Sequence, residues 1–187
     1  VFIDFAHTPE SIKTAINSLK MHFKKDLTIV FGCGGERDKN KRKKIGKIVD
    51  KLCKKIIVTD DNPRRENPKK IRKAIIKHIK SVKALEIGSR TSAIHTAIKQ
   101  SNSNEIILIA GKGHEDYQDY GTRKLKTSDF KIVKNFKIKK NKSERKINVK
   151  QNNFLINKII ANKYEKSFLG VSINSNSIKK KNLFITI

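Results

Sequence analysis

The sequence is short of acids, cysteine and aromatic rings, and each shortage bears on a class of function. Asp and Glu number 17 against 44 Lys and Arg, giving a formal net charge of +27. Such an excess ordinarily points to nucleic acid or an anionic surface. Here it is mostly Lys spread over every helix face among many Ile and Asn, the mark of compositional bias rather than of a basic site. Aromatic residues make up 6% of the chain, too few for the interleaved rings of a base-stacking platform. The two cysteines, Cys33 and Cys53, fall in different elements without Cys-x-x-Cys spacing, which supports neither a disulfide framework nor a zinc site and suits a reducing cytoplasm. No stretch stays apolar for the roughly eighteen residues of a membrane span. The opening Val-Phe-Ile-Asp-Phe is a strand pattern, not a signal peptide. A chain that begins without Met inside a hydrophobic strand reads as part of something longer.

What the chain does have is a regular alternation of strand and helix patterns. Val1 to Asp4 reads as a strand. Thr8-Pro9-Glu10 then supplies an N-cap, a first-turn proline and an acid for a helix with Ile12, Ala15, Ile16, Leu19 and Phe23 on one stripe. Leu27 to Phe31 is a continuous apolar strand of the kind covered on both faces. Ile45, Ile48, Val49 and Leu52 form a helix stripe, Ile56 to Thr59 a strand, and Asn67-Pro68 caps a helix carrying Ile71, Ile75, Ile76 and Ile79. Ala84 to Ile87 is a fourth strand, Thr91 to Gln100 a helix and Glu105 to Ala110 a fifth strand. The expected fold is α/β: a Rossmann-like, doubly wound, mostly parallel sheet with helices on both faces, followed by a partial α+β tail.

In such sheets ligands bind beyond the carboxyl ends of the strands. Four loops fall there. They are Asp4-Phe5-Ala6-His7-Thr8-Pro9, the glycine-rich Gly32-Cys33-Gly34-Gly35-Glu36-Arg37-Asp38-Lys39, Thr59-Asp60-Asp61-Asn62-Pro63-Arg64-Arg65, and Gly111-Lys112-Gly113-His114-Glu115-Asp116-Tyr117. The third places two carboxylates, an amide and two guanidiniums within six residues, stiffened by Pro63. Such a set suits a zwitterion: an Arg fork matches a carboxylate, and Asp or Asn can receive an ammonium. A polar surface loop is the plain alternative. The glycines of the second loop would let backbone amides approach an anion, but neither a P-loop nor a Gly-x-Gly-x-x-Gly fingerprint is present. His7 and His114 lack a second ligand at metal spacing, so hydrogen-bonding roles suit them better. His22, His78 and His95 are expected at the surface or in packing. Arg65 and Lys112 are expected to be solvated or weakly involved.

The motifs Asp-Phe-Ala-His-Thr-Pro, Phe-Gly-Cys-Gly-Gly-Glu-Arg-Asp, Asp-Asp-Asn-Pro-Arg and Ala-Gly-Lys-Gly-His-Glu-Asp-Tyr-Gln, in this order, resemble the C-terminal domain of the Mur ligases. The likeness is nearest to the diaminopimelate-adding branch and covers residues 1 to 137. It implies an ADP-forming ligase that phosphorylates the D-glutamate side-chain carboxyl of UDP-MurNAc-L-Ala-D-Glu with ATP and joins meso-diaminopimelate through the acyl phosphate, in the cytoplasm. By position it implies that Arg37, Asp61, Asn62, Arg64, Gly111 and Glu115 bind diaminopimelate, with Arg64 on the distal carboxylate. It also implies that Asp4 and His7 help hold ATP, although Phe5 stands where relatives usually have Tyr. ATP and magnesium would be bound mainly by a central domain whose glycine-rich loop is absent from this sequence. The partners implied are then the N-terminal and central ligase domains, and these residues alone should not catalyse.

Residues 138–150 read as a basic linker. Residues 151–187, with Leu169-Gly170-Val171-Ser172-Ile173 leading to Leu183-Phe184-Ile185, resemble the opening of the N-terminal domain of a following, D-alanyl-D-alanine-adding Mur ligase, which would make a fused downstream ligase a further partner. A C-terminal extension folded as a helix and hairpin is the alternative. Two other functions stay open at this level: a basic nucleic-acid-binding module, supported by charge alone, and a folate-type glutamyl ligase domain, which should lack Asn62-Pro63-Arg64.

Overall fold

The computed structural model describes residues 1–81 and 84–136, together with two short strands further on. Five parallel strands form the central sheet: β1 (Phe2–Asp4), β2 (Asp26–Phe31), β3 (Lys55–Val58), β4 (Leu85–Glu86) and β5 (Glu105–Ala110), in the spatial order β1-β5-β2-β3-β4. The helices between them are α1 (Pro9–Phe23), α2 (Asn40–Leu52), α3 (Pro68–Ile76) and α4 (Arg90–Gln100).

The order decides which face each helix covers. A right-handed crossover puts its helix on one face when the chain moves one way along the sheet and on the opposite face when it returns. The first three crossovers advance towards β4, and α1, α2 and α3 share one core with alternate strand residues: Ile12, Ile16, Ile45, Val49, Ile71 and Ile75 pack against Leu27, Ile29, Phe31, Ile56, Val58 and Leu108. The fourth returns to β5, and α4 covers the other face, where Ala93, Ile94, Ala97 and Ile98 meet Ile3, Val30, Ile57, Ile107 and Ile109. The period of two along each strand thus feeds two cores, which is why the middles of β2, β3 and β5 are near-continuous apolar runs.

The caps expected at Thr8 and Asn67 are formed and Ser89 adds another, whereas α2 starts at Lys39 without a side-chain cap. Thr8 Oγ1 accepts from the Ser11 amide at 3.1 Å with Pro9 behind it, Asn67 Oδ1 accepts from the Lys70 amide at 3.2 Å before Pro68, and Ser89 accepts from the Ser92 amide at 3.3 Å. Helix α1 ends at Lys24 in the left-handed region, φ 51°.

Two elements lie beyond the alternation read from sequence. A hairpin of β6 (Tyr117–Asp119) and β7 (Lys124–Lys126) turns through Gly121 at φ +78°, and α5 (Asp129–Lys134) packs beside α4, burying Val133 in the second core. The linker at 138–150 lies outside the described residues, as does most of the tail at 151–187. There, β8 (Val171–Ser172) and β9 (Leu183–Phe184) pair in parallel, not as a hairpin. Among the described residues no helix is long and apolar enough to cross a membrane.

Candidate functional site

The register brings the carboxyl ends of the strands level: Asp4 pairs with Ala110, Val30 with Ile109 and Phe31 with Val58. The four polar loops therefore leave from one edge. The Asp60–Arg64 segment is built into the others on both sides. Gln118 Nε2 donates to the carbonyls of Asp60 and Asp61 at 3.0 and 2.9 Å, the Asp119 amide donates to Asn62 Oδ1 at 2.9 Å, and the Arg64 amide donates to the Asp119 carbonyl at 2.9 Å. The hairpin thus braces the loop almost as a further strand would. Asp60 is consumed in this bracing: it forms an ion pair with Arg72 and accepts from the Tyr120 hydroxyl at 3.0 Å.

The glycine-rich loop does a different job from the one its composition suggests. A Cβ on Gly35 would lie 1.9 Å from the Pro63 carbonyl oxygen, and one on Gly32 would lie 2.4 Å from that of Thr59. The Gly35 amide donates to the Asn62 carbonyl at 2.9 Å. These glycines let two loop backbones touch, so that amide is used within the protein instead of facing an anion. Arg42 and Glu66 tighten the same junction: Arg42 Nη1 and Nη2 bond Glu66 at 2.7 and 2.8 Å, and Nη2 also donates to the Gly34 carbonyl at 3.2 Å. The Arg42 bonds and charge outweigh burial and hold the Glu66 carboxyl below the usual glutamate range.

Lys112, expected to be solvated, is 0% exposed and sits at the centre of the site. Its ammonium donates to Asn62 Oδ1 at 3.0 Å and to Glu115 Oε2 at 2.7 Å. A buried Lys needs such partners to stay charged, and a motif scan that weighs Lys as a solvating residue misses it. Asn62 Nδ2 in turn donates to Glu115 Oε2 at 3.1 Å. With Oδ1 already accepting from both Lys112 and the Asp119 amide, the orientation of the Asn62 amide is fixed, and what it can still offer a ligand is an N–H. The expectation that Asn62 receives an ammonium is corrected accordingly. Glu115 Oε1 has no hydrogen-bond partner among the described residues. Burial pushes the Glu115 carboxyl up, but Lys112 and the Asn62 amide more than offset this and hold it below its ordinary range.

Arg64 stands at φ 51°, a conformation sustained by the bonds on either side of it. Its Nη1 donates to the Gly35 carbonyl at 2.8 Å and lies 3.4 Å from the Asn62 carbonyl, while Nε and Nη2 have no protein partner among the described residues. One edge of the guanidinium is anchored and the other is free. Arg37 is exposed on the neighbouring loop, its Cγ 3.8 Å from where a Gly34 Cβ would be. Asp61 is 9% exposed, and its Oδ2 would be 2.6 Å from a Cβ on Gly111, which adopts φ +111°. The Gly111 amide donates to the Asp4 carbonyl at 3.1 Å, joining the last loop to the first.

The first loop forms a smaller group. Asp4 Oδ1 accepts from the Ala6 amide at 2.6 Å. His7 is exposed, with Nδ1 2.9 Å from the Phe5 carbonyl. Nδ1 must carry the proton in that bond, which leaves Nε2 of the neutral ring as an acceptor. The Phe5 ring meets His7 edge-on at 4.8 Å and His114 stacked at 5.6 Å. Arg65 is exposed, as expected. Among the described residues no group of three or more His, Cys, Asp or Glu gathers to hold a metal ion.

Beneath the edge lies a pair that sequence reasoning overlooked. Arg90 and Asp129, each the first residue of a helix, are both fully buried and joined by two bonds of 2.7 Å, with Arg90 Nη2 also donating to the Ala110 carbonyl at 3.0 Å. Only the Ser-x-x capping pattern before each helix marked the place, and it carries no hint of a buried charge.

At the strand ends of this parallel α/β domain an anchored guanidinium fork stands beside an ionised carboxylate. The chain belongs to the Mur ligase, glutamate ligase domain family, whose model matches residues 1–113. It is 45% identical over 139 residues to the UDP-N-acetylmuramoyl-L-alanyl-D-glutamate--2,6-diaminopimelate ligase of Rickettsia prowazekii (strain Madrid E), a match covering 73% of this chain and 29% of that protein. Against the ligase of the same name from Buchnera aphidicola subsp. Schizaphis graminum (strain Sg) it is 44% identical over 134 residues, 71% of this chain and 27% of the relative. A solved structure of a UDP-N-acetylmuramoyl-L-alanyl-D-glutamate--2,6-diaminopimelate ligase superposes with a TM-score of 0.67 at 35% identity, over 71% of this chain and 28% of that one. The chain therefore spans less than a third of the length of these relatives.

Proposed function

We propose that this chain holds the amino-acid nucleophile of an ATP-dependent amide-forming ligase of peptidoglycan synthesis, and that the nucleophile is meso-diaminopimelate, destined for UDP-MurNAc-L-Ala-D-Glu. The observation that carries the reading is Asn62, whose backbone carbonyl touches Arg64 and whose side chain touches Glu115. In this reading the carboxylate donors are Arg64 Nε and Nη2, the Asn62 amide and Arg37, and the ammonium acceptors are Glu115 and Asp61. The far end of meso-diaminopimelate is a zwitterion and meets both sets. The far end of lysine is an ammonium alone and leaves the Arg64 fork unpaired inside a partly dry site, at a cost of roughly 2–5 kcal/mol. Gly111, at the close approach to Asp61, leaves room where any side chain would intrude.

The division of labour follows from what the chain carries. Its sequence carries no P-loop motif, and its contribution in this reading is positioning: it fixes the far end of the amino acid so that the reactive amine points away from the domain, towards the carboxyl to be joined. ATP, when bound, supplies the phosphoryl group that turns that carboxyl into an acyl phosphate. Asp4, His7 and the Phe5–His114 ring faces fit the ribose and base side of a nucleotide, and His7 Nε2 is available to a ribose hydroxyl. Among the described residues no cluster of carboxylates or imidazoles gathers that would hold magnesium. Cys33 and Cys53 are buried, which pushes both thiols up to about 12.

Titration of the protein with meso-diaminopimelate and with L-lysine, followed by NMR amide shifts, tests this reading. Shifts at residues 34–37, 61–64 and 111–116 with the first ligand, and much weaker ones with the second, are expected. Equal response to both would contradict it.

A further inference from the structure

We propose that Lys112 is a positioning residue that sets the polarity of the amino-acid subsite and thereby its preference for a zwitterionic over a purely cationic terminus. The inference rests on the reading above and adds a residue that makes no direct contact with the substrate in it.

The argument begins with burial. Lys112 is completely shielded, and its ammonium is spent on two side chains, Asn62 and Glu115, both facing the ligand. An amide side chain can be rotated by half a turn at little cost unless its surroundings distinguish oxygen from nitrogen. Lys112 makes that distinction, because an ammonium has donors only and so requires the Asn62 oxygen. The Asp119 amide makes the same demand from the other side, at 2.9 Å. The Asn62 nitrogen is left facing Glu115 and the ligand, a donor for a carboxylate.

The same ammonium neutralises Glu115 through Oε2 and leaves Oε1 to an incoming ammonium. Glu115 is faced by Lys112 and His114 from its own loop, by Asn62 from the loop after β3, and by the charge of Arg90 from the start of α4. Of these, Lys112 is the one in direct ionic contact. Without it, burial raises the Glu115 carboxyl against only the Asn62 bond and the charges of His114 and Arg90, and the carboxylate is less well held for an incoming cation. Only the Asp119 amide then holds the Asn62 oxygen in place, so a turn of the amide that presents the oxygen to the ligand becomes less costly, an arrangement that welcomes an ammonium and repels a carboxylate.

Lys112→Met keeps the length and packing of the side chain and removes the charge. In NMR or calorimetric titrations of the 187-residue protein, the variant is expected to bind meso-diaminopimelate about tenfold or more weakly and L-lysine with little change, so that the selectivity ratio collapses. The pH below which diaminopimelate binding fails should move up as the Glu115 carboxyl is released from its cation. A variant that keeps its fold, its selectivity and its pH profile would overturn the inference while leaving the functional reading intact. Wild-type protein that fails to distinguish the two ligands would overturn the reading and this inference together. Should Lys112→Met not fold, the unmodified protein still decides the matter through the Glu115 carboxyl carbon followed by NMR across pH. Ionisation below the ordinary glutamate range supports the assignment, and an ordinary or raised value overturns it.

Discussion

Arg64 crosses from its own loop to donate through Nη1 to the Gly35 carbonyl, 2.8 Å away. That single bond ties the guanidinium to the neighbouring loop by one edge and turns the other edge, Nε and Nη2, outwards. The orientation of the fork is therefore a property of the contact between two loops, and the loops touch because Gly35 has no side chain.

Gly35→Ala should consequently damage a site it does not chemically belong to. Its Cβ would meet the Pro63 carbonyl at 1.9 Å, so the Asn62–Arg64 backbone must move. A loss of about 1–3 kcal/mol in urea unfolding is expected, together with weakened diaminopimelate binding. Unchanged stability and binding would show that the two loops separate freely.

The buried Arg90–Asp129 pair joins α4, α5 and the end of β5. Asp129→Ala leaves a guanidinium without its counterion in a dry interior and is expected to cost about 3–5 kcal/mol. Replacing both residues, Arg90→Met with Asp129→Leu, should recover most of that loss. Denaturant unfolding of the three proteins checks both statements, and a double variant no better than the single one would count against this account of the pair.

Acid should weaken the junction of the second and third loops in a definite window. The Glu66 pKa is lowered by Arg42 in the folded protein, so its contribution is fully present above the unfolded value near about 4.3 and is lost as pH falls through the lower folded value. Glu66→Gln should lower stability by about 1–2 kcal/mol at neutral pH, a moderate figure because the carboxylate keeps some solvent. It should also flatten the acid limb of a stability-against-pH curve. A variant that keeps the wild-type acid limb would assign that limb to other carboxylates.

The order of strands and helices was legible in the sequence because each apolar strand run and each helix stripe is bounded by its own punctuation, Thr8-Pro9 and Asn67-Pro68 among the clearest. The loops of the site were legible because they fall at strand ends. The internal wiring of the site was not. Lys112 looks like any other Lys in a chain rich in them, and its importance comes from burial, a property of the closed fold. The glycine-rich loop was assigned to an anion because composition cannot tell a glycine that admits a ligand from one that admits another loop. The hairpin Tyr117–Lys126 was not legible because its strands are short and polar, and its own pairing is supplemented by Gln118, Asp119 and Tyr120 gripping the Asp60–Arg64 segment.

The central claim is that the free edge of Arg64 reads the far carboxylate of the amino acid. The most direct test is the affinity of Arg64→Ala and Arg64→Lys for meso-diaminopimelate and for L-lysine, with an NMR fingerprint to establish that each variant is folded. Both substitutions are predicted to weaken diaminopimelate binding by roughly thirtyfold or more, since a point charge does not reproduce the fork, while lysine binding stays nearly unchanged. Folded variants that retain the wild-type preference for diaminopimelate, or that lose both ligands equally, would contradict the claim.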